Sequence, residues 1–189
     1  LILAEDKGEI NLNTIALVGN PNSGKTTVFN ALTGSNQHVG NWPGVTVEKK
    51  EGKFNFDGNT YKIVDLPGTY SLGAYSEDEM AARDFILKEN PDVVINVVDA
   101  TNIERNLYLT TQLLEMGSKV VIALNMIDEA EERNIQFNIK KLSEKLGVPV
   151  IPTIASKRKG MDELIKSSIV LMNKKAEHKN PISYGNDID

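Results

Sequence analysis

Apolar residues in this chain gather in short runs, and between the runs they recur at helical spacing. The runs at residues 14–18, 93–98, 119–124 and 148–151 are rich in Val, Ile and Leu, as strands buried on both faces are. Helical patterning follows at 25–32, ended by Gly34, and at 78–88. A further helix shows Ile103, Leu107 and Leu114 on one face, with Thr101 or Asn102 as its cap. Two more helices read at 135–146, closed by Gly147, and at 161–172. Residues 45–56 and 60–64 read as strands on either side of Asp57-Gly58-Asn59, a turn that makes the pair an antiparallel hairpin. Strands alternating with helices predict an α/β fold. The expected architecture is a mainly parallel six-stranded sheet with one antiparallel edge strand and helices on both faces. The domain is expected over residues 14–172, with an N-terminal extension at 1–13 and a polar tail or linker at 173–189; there is no internal repeat.

Composition narrows the class. The chain has 189 residues, enough for one ordinary domain, and is 40% hydrophobic, enough for a substantial core. No apolar run approaches a membrane span, and Leu1-Ile2-Leu3 is cut short by Glu5 and Asp6, so no signal peptide is read. Position 1 is not Met, which is read as a processed or recombinant start. There is no cysteine, which removes disulfides and thiolate metal sites and fits a reducing compartment. A net charge of −5 argues against a nucleic-acid surface, and Lys157-Arg158-Lys159 reads as a solvated loop.

The chemistry sits in three motifs. Gly19-Asn20-Pro21-Asn22-Ser23-Gly24-Lys25-Thr26 fits G-x-x-x-x-G-K-S/T, directly after a strand and opening a helix. Such a loop turns its backbone N–H groups onto phosphates, with the helix N-terminus behind them. Lys25 is assigned to the β- and γ-phosphates, Thr26 to magnesium, and the adjacent Thr27 to the nucleotide site. Asn125-Met126-Ile127-Asp128 ends a buried run and fits N-K/M-x-D; a carboxylate at Asp128 accepts two hydrogen bonds from guanine and rejects adenine. Asp65-Leu66-Pro67-Gly68 fits D-x-x-G, with Asp65 on magnesium through water and the Gly68 N–H on the γ-phosphate. Thr46, twenty residues past Thr26 in a Gly/Pro-rich loop, is the candidate second magnesium ligand. Together these predict the Ras-like P-loop GTPase fold binding GTP and GDP. A P-loop kinase would leave Asn125 and Asp128 unexplained.

Longer strings carry a closer resemblance. Residues 36–48, with Asn41-Trp42-Pro43-Gly44-Val45-Thr46 at their centre, resemble the first switch of the ferrous iron transport protein B (FeoB) family. Asp65-Leu66-Pro67-Gly68-Thr69-Tyr70-Ser71-Leu72 resembles its second switch, and Glu104-Arg105-Asn106-Leu107-Tyr108-Leu109 its later helix. The resemblance runs from about residue 14 to 172. It implies a GTP-hydrolysing regulatory domain on the cytoplasmic side of a cell-membrane iron transporter, soluble by itself. A helical domain and membrane region of the same polypeptide would lie downstream; no nucleic acid is implied, and an oligomer is left open.

Two departures from commoner GTPases matter. Thr69 stands where Ras-type proteins carry the water-orienting Gln, which predicts slow intrinsic hydrolysis. The resemblance implies a substitute: potassium beside the phosphates, held by the Asn22 side chain and the backbone carbonyls of Gly40 and Trp42. In the base pocket Met126 replaces Lys, and the resemblance puts the fifth element at Thr153-Ile154-Ala155-Ser156-Lys157, where Ile154-Ala155 replaces Ser-Ala, leaving the Ala155 N–H for guanine O6 and Ser156 as an alternative after a register shift. His38 reads as a solvent-facing loop residue rather than a metal ligand, and Trp42 as a partner-contacting or nucleotide-covering side chain. Two other functions stay open at this stage. One is a soluble ribosome-maturation or tRNA-modification GTPase; the other is a nucleotide-gated interaction module with incidental hydrolysis.

Overall fold

The computed structural model describes residues 11–175. In chain order the elements are β1 (Thr14–Gly19), α1 (Lys25–Thr33), β2 (Gln37–Asn41), β3 (Glu48–Phe56), β4 (Asn59–Asp65), α2 (Glu77–Glu89) and β5 (Val93–Asp99). There follow α3 (Ile103–Glu115), β6 (Val120–Asn125), α4 (Ile127–Glu132), α5 (Ile139–Leu146), β7 (Val150–Pro152) and α6 (Met161–Asn173). One sheet runs in the order β2-β3-β4-β1-β5-β6-β7. Strands β4, β1, β5, β6 and β7 pair in parallel, whereas β3 is antiparallel to β4 and β2 antiparallel to β3. The readings of residues 1–10 and 176–189 lie outside the described residues.

Side chains alternate across this sheet and build a core on each face. Ala16 and Val18 of β1 join Val64, Val94 and Val98 beneath Phe85 of α2 and Leu109 and Leu113 of α3. Ile15 and Leu17 join Ile63 and Ile95 beneath Phe29 of α1 and Leu164 of α6. Burial on both faces explains why β1, β5 and β6 appear in the sequence as unbroken apolar runs. Among the described residues no helix is long and apolar enough to cross a membrane.

The sheet has seven strands rather than the expected six. The addition, β2, is exposed at every position and has no apolar alternation; it forms by backbone pairing, from Gln37 opposite Gly52 to Asn41 opposite Glu48. The strand expected from residue 45 begins at Glu48, because Trp42-Pro43-Gly44-Val45 closes a turn. Val45 N–H donates to Trp42 O at 3.3 Å, and Gly44 takes φ 77°, the position where a turn with Pro before it calls for glycine. The helix expected over 135–146 starts later. Asn134 is left-handed at φ 59°, and the Asn138 side chain caps α5 by accepting from Lys141 N–H at 2.9 Å. The short α4 precedes it.

Trp42 is corrected as well. It is 8% exposed, its ring edge-on to Phe85 at 5.6 Å, with the Lys49 ammonium 4.9 Å from the ring. This indole anchors the first-switch loop to α2 instead of covering a nucleotide or a partner.

Candidate functional site

The loops after β1, β4, β6 and β7 leave the carboxyl ends of parallel strands, where open α/β sheets place their ligands. The loop after β1 owes its path to three conformationally special residues. Asn22 and Gly24 are left-handed, at φ 64° and 86°. A Cβ at Gly24 would lie 2.2 Å from Asn125 Nδ2; one at Gly19 would lie 2.7 Å from Ser23 Oγ and 2.8 Å from Val97 O. Left-handed residues at alternate positions aim successive N–H groups to one side, the geometry of an anion nest. Helix α1 opens on this loop with no side-chain cap and no acidic residue in its first turn, so its N–H groups and positive end stay available for an anion.

Lys25 and Asp65 are both nearly buried and form an ion pair with each other. Burial pushes the Asp65 carboxyl above its ordinary value, and the Lys25 ammonium opposes that shift. The segment after Asp65 is laced to the phosphate loop: Leu66 N–H donates to Leu17 O at 3.0 Å and Thr69 N–H to Gly19 O at 3.1 Å. Gly68 therefore lies over Pro21, with ordinary 3.5 Å contacts for an added Cβ; the protein alone does not demand glycine there. Thr69 is buried, and its hydroxyl donates to Ser71 O at 2.6 Å, which turns it into its own loop.

Asn125 binds three loops together. Its Nδ2 donates to Ser23 O at 3.1 Å, while Oδ1 accepts from Thr153 Oγ1 at 3.1 Å and Ala155 N–H at 3.0 Å. The N–H expected to meet guanine O6 is thus engaged with Asn125 in this conformation. Met126 is left-handed at φ 61°, and its methyl carbon lies 3.4 Å from a Cβ built on Gly24, so the thioether reaches the phosphate loop. Asp128 accepts from Lys157 Nζ at 2.8 Å, which holds its carboxyl below the ordinary value. Lys157, the last residue of the expected fifth element and the first of the basic run read as a solvated loop, is thus joined to the candidate base-reading residue, a pairing that no sequence signal announces. Thr153 opens that expected segment, and its role there is to donate its hydroxyl to Asn125.

The first-switch residues make their hydrogen bonds away from the phosphate loop. Thr46 is exposed, and its hydroxyl points to Glu77 Oε2 at 3.4 Å, a long contact at the start of α2. Gly40 lies in β2, three strands from β1, and the Trp42 carbonyl accepts from Val45. No hydrogen bond joins either to Asn22, whose side chain is exposed. Thr26 is also exposed and makes no side-chain hydrogen bond, and it follows Lys25, whose ammonium pairs with the buried Asp65. A free hydroxyl and a carboxylate form the hard-oxygen donor set that suits magnesium. His38 sits on β2 opposite Glu51, and among the described residues no group of three or more His, Cys, Asp or Glu is arranged to hold a metal ion.

Comparison with known proteins gives one consistent result. The family described as ferrous iron transport protein B matches residues 13–168. The Fe(2+) transporter FeoB of Escherichia coli is 56% identical over 155 residues, covering 80% of this chain but 20% of that protein. This chain therefore spans about a fifth of the curated relatives it matches. The FeoB G-domain of Methanococcus jannaschii is 50% identical with a TM-score of 0.77, covering 86% of this chain and 98% of that one. The cytosolic domain of the T. maritima FeoB iron transporter, in a GDP form, is 47% identical with a TM-score of 0.85, covering 89% of this chain and 66% of that one.

Proposed function

The chain belongs to the ferrous iron transport protein B family, and on that premise we propose that it is the GTP-binding and GTP-hydrolysing regulatory domain of a ferrous iron membrane transporter. The observation that carries the nucleotide assignment is the Asn125 junction. One side chain fixes the phosphate loop through Ser23 and the base loop through Thr153 and Ala155, with Asp128 three residues on. That couples an anion nest to a guanine-reading carboxylate at fixed spacing. Family membership decides against the ribosome-maturation and tRNA-modification alternative. Relatives described as a cytosolic domain support placing this domain on the cytoplasmic side, ahead of helical and membrane segments.

The residues divide the work as follows. With nucleotide bound, Lys25 would turn from Asp65 to the β- and γ-phosphates, and Asp65 would be free to hold magnesium through water. The hydroxyls of Thr26 and Thr46 would be the protein ligands to magnesium, Thr46 giving up its long contact with Glu77. Bound magnesium supplies positive charge to the phosphate oxygens. Gly68, held over Pro21, turns its N–H to the γ-phosphate. Thr69 orients no water, because its hydroxyl is spent on Ser71. Asn22, exposed and left-handed in the phosphate loop, would hold potassium through its side-chain oxygen, with the Gly40 and Trp42 carbonyls as further donors. Potassium supplies the charge that an arginine finger supplies elsewhere.

Two measurements test this reading. In a competition titration GTP and GDP should displace a labelled guanine nucleotide, and ATP should not; equal displacement by ATP sinks the assignment. GTP hydrolysis should be slow in sodium and roughly tenfold or more faster in potassium at matched ionic strength, because charge stabilisation of this kind is worth at least that much. Asn22→Ala should erase the difference while GDP affinity holds, and a salt effect that survives the substitution rules Asn22 out.

A further inference from the structure

The string from Glu104 to Leu109, so selective in the sequence, has no part in the nucleotide contacts described above. Its helix, α3, is instead fastened to the second switch at two points on one face. The Arg105 guanidinium lies 4.1 Å from the centre of the Tyr70 ring, and Gln112 Oε1 accepts from Leu72 N–H at 2.8 Å. Arg105 and Gln112 are seven residues apart, so they project from nearly the same side of the helix. Tyr70 follows directly on Gly68 and Thr69, and Leu72 lies two residues further on. A third tie, from Ser71 Oγ to Glu79 Oε1 at 2.8 Å, holds the same segment to α2.

The helix itself is pinned to the sheet. Asn106 is buried; its Oδ1 accepts from Asp99 N–H at 3.2 Å and its Nδ2 donates to Asn102 O at 2.8 Å. Thr110 accepts from Asn96 Nδ2 at 2.6 Å inside the core. One face of α3 is thus locked to β5 while Arg105 and Gln112 grip the switch. A rigid helix holding residues 70 and 72 limits where the backbone of 68 and 69 can travel.

We propose that Arg105 and Gln112 are positioning residues for GTP hydrolysis, which set the Gly68–Thr69 backbone against the γ-phosphate by clamping Tyr70 and Leu72 to α3. The inference rests on the GTPase reading above and assigns neither residue any contact with the nucleotide. A domain without a water-orienting Gln depends on backbone placement at this point, so the clamps should govern turnover and leave GDP affinity alone, since GDP has no γ-phosphate.

The test is single-turnover GTP hydrolysis in potassium beside GDP affinity, on the native chain and on Arg105→Ala, Gln112→Leu, Tyr70→Leu and Tyr70→Phe. The first three should hydrolyse GTP about fivefold or more slowly with GDP affinity within about twofold of native, a split that marks loss of transition-state stabilisation alone. Tyr70→Phe keeps the ring and should retain the native rate. A smaller loss in those three variants, an equal fall in GDP affinity, or a Tyr70→Phe as slow as Tyr70→Leu overturns the proposal. A native chain that binds no GDP overturns the nucleotide assignment and this inference with it. A native chain that turns over GTP while the variants match it overturns this inference alone.

Discussion

Replacing Gly24 with alanine is expected to abolish guanine-nucleotide binding and to lower stability by about 3 kcal/mol or more. Two costs combine. At φ 86° an L side chain is strained, and the added Cβ would fall 2.2 Å from Asn125 Nδ2. Asn125 cannot retreat without giving up its bonds to Ser23, Thr153 and Ala155, and those bonds hold the phosphate loop and base loop together. Leaving its buried amide unpaired costs roughly 1–3 kcal/mol beyond the strain. Gly34→Ala is the control. Gly34 is also left of the normal range, at φ 57°, but nothing lies within 4 Å of its Cβ position. At φ 57° and ψ −123°, backbone that L side chains rarely adopt, that change should cost about 1–3 kcal/mol in strain and leave binding intact. Urea unfolding and GDP calorimetry on both variants decide the matter; native GDP affinity in Gly24→Ala would show that the junction does not hold the site.

What could be read from the chain, and what could not, follows from where each feature is encoded. Strands β1, β5 and β6 are buried on both faces, so their whole length is apolar and unmistakable. Strand β2 carries no such mark, because it is held by backbone pairing at an exposed edge, and Gln37, His38 and Asn41 would suit a loop equally well. The break between α4 and α5 rests on one left-handed residue, Asn134, and one cap, Asn138. Ile135, Phe137, Ile139, Leu142 and Leu146 are all partly buried and blur the change of period. The phosphate loop was legible because its glycines are spaced by backbone geometry within eight consecutive residues. The Asn125 junction and the Lys157–Asp128 pair were not, since their partners meet only when loops from distant strands converge. Trp42 stood in a Gly/Pro-rich loop with no periodicity to report that its ring turns inward.

Asp128→Asn is expected to change the base that the site reads. Guanine presents two donors, N1–H and the N2 amino group, to two carboxylate oxygens. An amide offers one acceptor and one donor, so it meets the N1–H but opposes the amino group with a hydrogen of its own. Xanthine carries a carbonyl where guanine has that amino group, and the amide donor then finds an acceptor. A site built to satisfy such groups rejects the mismatched base strongly, so affinity for GTP and GDP should fall about a thousandfold and xanthosine nucleotides should overtake them. The Lys157 contact does not block this role, because a carboxylate has room for about four hydrogen bonds. It adds a pH consequence: Lys157 holds the Asp128 carboxyl below its ordinary value, so the acceptor pair stays ionised throughout and above the usual carboxylate range and is lost only as pH falls through the lowered value. Guanine preference of the native chain should accordingly be level from about pH 5 upward. The substitution removes an exposed ion pair, so thermal stability should hardly move. Competition between GDP and xanthosine diphosphate on native and variant chains, each followed from pH 5 to 8, measures both effects. A variant that still prefers GDP would show that Asp128 does not read the base.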